Sequence, residues 1–308
     1  MAKTAKKTVS EQSGTVSSTT KSKKAAAIAP AEAPAKPSTQ ETAEVKGIQD
    51  IIAEQITEMP DPGITVVIPF KASAAKGNEL QYALRAWDKH FPGCRIAIIG
   101  DSLPWFGKEI LHIPMDTVSD NPQIDVAHKM AAAIASDLIP QDFIWSNDDI
   151  YTLCPITLAD IVTLKAHGKL SAKGLAEGLY RKNADRTLKA LKEAGIDEPY
   201  DFATHTPVAL GKNLLSEVLH KFKCLDEGHL VYSLYANYFF VQAGYRPTIT
   251  YNDARGSIVA AVYRANPDAD LLKKAFETRK WINNNDGGWK AVEPYLQKLF
   301  PDKCRFEK

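Results

Sequence analysis

The chain has 308 residues, 44% hydrophobic and 24% charged, with a formal net charge of +1. That balance excludes a strongly basic nucleic-acid wrapper, and no run of 18 consecutive apolar residues is present to span a membrane. Cys94, Cys154, Cys224 and Cys304 lie far apart and form no C-x-x-C pair, which excludes the usual zinc and redox motifs and points to reduced thiols in a cytoplasm.

Residues 1–46 are Ala, Lys, Ser, Thr, Pro and Glu with scattered Val and Ile, and the first aromatic residue is Phe70. Such a segment buries too little apolar surface to offset its ordering entropy, so a disordered basic low-complexity tail is predicted. It holds eight Lys against four Glu, which leaves the rest of the chain at −3. Weak contact of this tail with phosphate is the one nucleic-acid contact expected. Ala25–Ala29 is too short an apolar core for a signal peptide.

Residues 47–63 read as a linker with a short helix over Ile48–Ile56, broken at Met59-Pro60-Asp61-Pro62-Gly63. The β-branched run Ile64–Phe70 predicts a buried strand. A Ser/Gly/Lys loop, Lys71–Asn78, follows. Glu79–His90 places Leu80, Ala83, Leu84 and Trp87 on one helical face. After the Pro92-Gly93 turn come strands over Arg95–Asp101 and Ile110–Ile113, a helix over Asp125–Ser136, and a strand over Phe143–Ser146. This alternation predicts an α/β fold with a mostly parallel sheet. The loops after the first, second and fourth strands then gather at one edge. No G-x-G-x-x-G and no G-x-x-x-x-G-K-[ST] occurs, so neither a dinucleotide-binding fold nor a P-loop is supported.

In the second half, helices are expected over Leu158–His167, Thr187–Ala194 with Gly195 as C-cap, Gly228–Gly244, Asp270–Lys280 and Trp289–Phe300. A polar, His-bearing segment, Asp201–Leu210, lies between them. The expected organisation is one domain, with an α/β half over 64–157 and a helical half over 158–308.

The run Phe143-Ile144-Trp145 stops on Asn147-Asp148-Asp149. Adjacent carboxylates at the end of a buried strand repel unless a cation or hydrogen-bond donors offset them. In open α/β sheets that edge is where ligands sit, so Asp148 and Asp149 are candidates to hold a metal-bound diphosphate. Read simply, the same tripeptide is an Asn-Asp turn. Lys71 and Asp101 end neighbouring strands and suit contacts to base, ribose or phosphate; read simply, Lys71 is a solvated loop lysine and Asp101 caps a turn. Lys129, four residues after Asp125, suits either an i,i+4 ion pair or a phosphate contact.

Several blocks together resemble a known group: Glu79–Ala86, Ile98-Ile99-Gly100-Asp101-Ser102-Leu103-Pro104-Trp105, Asn147-Asp148-Asp149, His205-Thr206-Pro207, Ser233–Tyr238, Asn285-Asp286 and Phe300–Glu307. They resemble GT-A-type glycosyltransferase-like proteins of bacteria and phages, related to the Stealth capsular-polysaccharide sugar-phosphate transferases. The ending Pro69-Phe70-Lys71 of the first strand is closer to ordinary GT-A glycosyltransferases. The resemblance implies a GT-A-like (Rossmann-like) sheet with a C-terminal helical lobe, a nucleotide-sugar donor, a saccharide acceptor and Mn²⁺ or Mg²⁺. It implies Asp149 as metal ligand and Asp148 on a ribose hydroxyl or a metal-bound water. His205 is implied either as a further metal ligand or as the base on the acceptor hydroxyl; Asp226, which precedes a buried helix, reads either as an N-terminal cap or as an acceptor-side base. Ser233 and Asn237, i and i+4 on a helix, are expected to face the cleft together. Location in the cytoplasm of a bacterial or phage-infected cell follows. Two alternatives are a Stealth-type sugar-1-phosphate transferase and a silent carbohydrate-binding or virion-associated module.

Overall fold

The computed structural model describes residues 63–250 and 258–308. The tail and the short helix expected over Ile48–Ile56 lie outside them. The first half runs β1 (Thr65–Phe70), α1 (Glu79–His90), β2 (Arg95–Gly100), β3 (Ile110–Pro114), α2 (Pro122–Ala135), β4 (Asp142–Trp145) and β5 (Ile150–Thr152). It continues through α3 (Leu158–Val162), β6 (Lys165–Ala166), β7 (Gly168–Lys169), α4 (Leu179–Glu193), β8 (Tyr200–Asp201), β9 (Val208–Gly211) and α5 (Lys212–Lys221). Then come α6 (Val231–Ala236) with a π-turn over Asn237–Val241, β10 (Thr248–Ile249), β11 (Val259–Val262), α7 (Ala269–Thr278), β12 (Trp281–Asn284) and α8 (Trp289–Leu299).

The main sheet has the order β3-β2-β1-β4-β9, parallel except where β9 runs antiparallel beside β4. The expected α/β architecture is therefore present. Its strands are apolar on both faces because both are covered. Val66, Ile68, Phe70, Ile96 and Ile98 pack under Leu80, Leu84 and Trp87 of α1. Val67, Ala97, Ile99, Phe143 and Trp145 pack against Ala127, Met130 and Ala133 of α2, with α5 and α6 joining that side. The opposite flank of α1, Tyr82, Ala83 and Ala86, meets a second sheet of order β11-β12-β5. The first helix is thus sandwiched between two sheets.

Several expectations are corrected. The helix expected over Leu158–His167 ends at Val162, where the Lys165 ammonium donates to the carbonyls of Asp160, Ile161 and Thr163 (2.8, 3.2 and 2.6 Å) and closes the turn. His167 therefore lies between two short strands. The helix ending at Glu193 begins at Leu179, eight residues earlier than expected, and Gly195 takes the left-handed conformation (φ +86°) that a C-cap requires. The Gly228–Gly244 helix starts only at Val231. At Asn237 it widens into the π-turn, where the Asn237 side-chain amide competes for the Ser233 carbonyl at 2.7 Å. No helix among the described residues is long and apolar enough to cross a membrane.

Candidate active site

The carboxyl ends of β1, β2 and β4 come together as the alternation implied. Gly100 closes β2 at φ +132°, and a Cβ there would collide with the Phe70 carbonyl oxygen. That close approach brings the two strand ends into contact. The Asp101 Oδ2 accepts the Ala72 amide at 2.7 Å, so this aspartate pins the loop that carries Lys71. Lys71 is half-buried, and among the described residues no hydrogen bond or ion pair engages its ammonium.

On the other side of β1, the Ser146 amide donates to the Val67 carbonyl at 3.0 Å, extending the β1–β4 pairing right up to Asn147-Asp148-Asp149. The chain then turns, with the Ile150 amide on the Asn147 carbonyl, and enters β5. Both aspartates are half-buried. Burial pushes Asp148 up to about 7, Glu79 adds to the rise, and Lys129 pulls it back. Asp149 is held well above the ordinary carboxylate range, first by burial and then by Asp148. Asp149 Oδ1 is buried with no hydrogen-bond partner. Glu79, 5% exposed, faces the pair; it already accepts the amides of Lys76 and Gly77. Lys129 is 2% exposed and pairs with Asp125 at 2.5 Å, so the i,i+4 bridge exists. It also serves as the buried cation nearest the edge that offsets Asp148.

Two adjacent half-buried carboxylates with one oxygen unmatched form a hard-oxygen donor set that fits a divalent cation. Among the described residues no three of His, Cys, Asp and Glu converge in a metal-holding group. The protein side of such a site is the Asp pair, and diphosphate and water oxygens would complete it.

His205 stands elsewhere on the same edge. β9 pairs antiparallel with β4, Val208 opposite Trp145, so the segment entering β9 meets β4 where β4 delivers its aspartates. His205 has a left-handed backbone (φ +49°), and its ring lies edge-on to Tyr263, centroids 6.3 Å apart. Tyr263 follows β11, whose Val262 pairs with Asn284; one step back, Asn283 pairs with Ile150, next to Asp149. Burial lowers His205 to about 4, and its Nδ1 has no partner. Asp226 lies in an exposed turn after α5, and no described contact joins it to the Asp pair. Ser233 and Asn237 do share a helix face, but not as a cleft wall. Ser233 Oγ accepts the Phe202 amide (3.0 Å), and Asn237 bridges the Tyr200 amide and carbonyl (2.8 and 2.7 Å).

Sequence reasoning missed Glu79, His167, Asp201 and Tyr263. Glu79 carried a signal, a carboxylate opening a helix directly after a strand loop. The others arrive through strands too short to announce themselves.

No family model matches the chain, and no curated protein does. Among solved structures, it is similar to the galactosyltransferase LgtC in complex with donor and acceptor sugar analogues, at 13% identity and a TM-score of 0.42, over 78% of this chain and 96% of that one. It is also similar to WbbM, a bifunctional glycosyltransferase, at 11% identity and a TM-score of 0.41 over 80% of this chain. It spans about half, 52%, of the WbbM chain.

Proposed function

We propose that this protein is a metal-dependent GT-A-type glycosyltransferase that moves a sugar from a nucleotide-sugar to a saccharide acceptor. The observation that carries this reading is the Asp148–Asp149 pair, half-buried at the carboxyl end of β4 with Asp149 Oδ1 enclosed and unmatched. Burying such a pair is unfavourable, and a bound cation removes the cost. Lys71, Asp101 and Lys129 surround the edge with groups suited to a base, a ribose and phosphates. Asp149 would hold a divalent cation, which would supply positive charge for the departing nucleoside diphosphate. Asp148 would hold a ribose hydroxyl or a water on that cation. His205, neutral at pH 7, takes the proton of the acceptor hydroxyl on a ring nitrogen. This role goes to His205 because Asp226 sits in an exposed turn away from the pair.

The test is a thermal-shift screen of UDP-, GDP-, CMP- and TDP-sugars with and without Mn²⁺, followed by product analysis. A matching donor at a hundred times its dissociation constant should add about 2.7 kcal/mol, and Asp149→Ala should remove that gain. A full Mn²⁺-dependent gain in Asp149→Ala would sink the metal assignment. Release of nucleoside monophosphate would favour the Stealth-type transferase, and binding without release of either nucleotide a silent module. For His205→Ala, turnover down roughly 10²–10⁴-fold at unchanged Mn²⁺ affinity fits a base. Loss of both together fits a metal ligand.

A further inference from the structure

Beside the carboxylate pair, the same edge carries a second polar cluster. The His167 amide donates to the Asp201 carbonyl at 2.9 Å, and its Nδ1 lies 3.8 Å from Asp201 Oδ2. Asp201 Oδ1 also accepts the Ala203 amide at 3.0 Å. The backbone around Asp201 is clamped from behind by Ser233 and Asn237, so the aspartate is fixed in place. A carboxylate beside Nδ1 favours the tautomer that carries its proton on Nδ1 and leaves Nε2 as an acceptor. That Nε2 is buried with no partner, as is His205 Nδ1. Two unmatched imidazole nitrogens in one cluster are a poor arrangement for a sealed interior and a good one for receiving hydroxyl donors.

The cluster is flanked by two partly exposed tyrosines. Tyr263 is 44% exposed and Tyr180 is 43% exposed. Tyr263 touches His205 edge-on, and the Tyr180 hydroxyl lies within electrostatic reach of both Asp201 and Tyr263. An exposed aromatic ring presents a flat apolar face with a polar tip. A pyranose offers the complement: a face of C–H groups and a rim of hydroxyls.

We propose that Tyr180, Tyr263, His167, Asp201 and His205 form the acceptor subsite. A pyranose ring lies on the tyrosine faces and donates hydroxyls to His167 Nε2 and His205 Nδ1. His167, which Asp201 orients, is the residue this adds to the reading above. The proposal rests on that reading for the word acceptor, and on the cluster itself for the saccharide.

The experiment is saturation-transfer NMR on the full chain with methyl β-glucoside, methyl β-galactoside and methyl N-acetyl-β-glucosaminide, without donor. At least one should bind through its C–H face. Tyr263→Ala and His167→Gln should each weaken binding tenfold or more, while the Mn²⁺- and nucleotide-sugar-dependent thermal shift stays at the wild-type value. Tyr263→Phe should retain most of the binding, because stacking needs only the ring, and it also controls for folding. If no glycoside binds wild type at tens of millimolar, or if binding survives both Tyr263→Ala and His167→Gln, the subsite is wrong. Glycoside binding by a wild-type protein that shows no donor shift would keep the saccharide site and overturn the transferase reading instead.

Discussion

Asp149 illustrates how a single side chain sets a conflict between stability and function. Its Oδ1 is buried without a partner beside a second carboxylate. The amide isostere removes one charge and keeps the shape. Asp149→Asn should therefore melt above wild type in the absence of metal, by roughly 2–4 °C for each kcal/mol of relieved burial and repulsion. The same variant should lose the Mn²⁺-dependent gain, and an unchanged or lower melting point in EDTA would contradict the account. His229 makes stability depend on pH. It is 2% exposed, and burial lowers it to about 4 against an ordinary 6.5. Below pH 6.5 the unfolded chain takes up a proton that the folded chain refuses, so stability present above that pH is lost as pH falls toward 4. A melting curve series from pH 7 to 4.5 should slope less steeply for His229→Gln than for wild type. The aspartates were legible because two charges ending an apolar run are conspicuous. The His167–Asp201 pair was not, since nothing local marks a histidine whose partner lies 34 residues away.

Among the elements, α1 is held most elaborately. Arg85 projects from it to form a forked pair with Glu307 (2.7 and 2.8 Å), and the Glu307 side chain is fully buried. Burial alone would raise Glu307, but Arg85 outweighs it and keeps the carboxylate ionised. Removing one partner leaves the other charge uncompensated, so Glu307→Ala should cost about 3–5 kcal/mol in urea denaturation. A loss under 1 kcal/mol would show that the fork is dispensable. Helices with a clear apolar face were readable from periodicity, and α1 matches its expected bounds. Strands β5, β11 and β12 were not readable: Val259–Val262 is two alanines between valines, and Trp281–Asn284 ends on two asparagines. Their strand character comes from pairing with each other and from α1 beneath them, which no window of four residues contains.

Taken whole, the two expected halves interleave. β9 supplies the edge strand beside β4, and β12 pairs with β5. A chain ending at residue 157 would expose the β4 edge and leave Tyr82, Ala83, Ala86 and Tyr151 without cover. Residues 63–157 alone should therefore give a poorly dispersed amide NMR spectrum, and adding 158–308 should restore dispersion. A well-dispersed spectrum from the first fragment would show two independent units. The parallel alternation that made the first half legible depends on local βαβ order. The second half was obscure because β9, β11 and β12 serve sheets begun by the first, and β6, β7, β8 and β10 are only two residues long.

The Arg85–Glu307 fork also has a consequence in time. Its partners are 222 residues apart. At translation speeds of about 5–20 residues per second, Arg85 is synthesised roughly 10–45 s before its carboxylate exists. Throughout that wait α1 carries an unanswered guanidinium and an uncovered apolar flank. Slowing translation should lengthen the interval in which α1 lacks its charge partner and its cover.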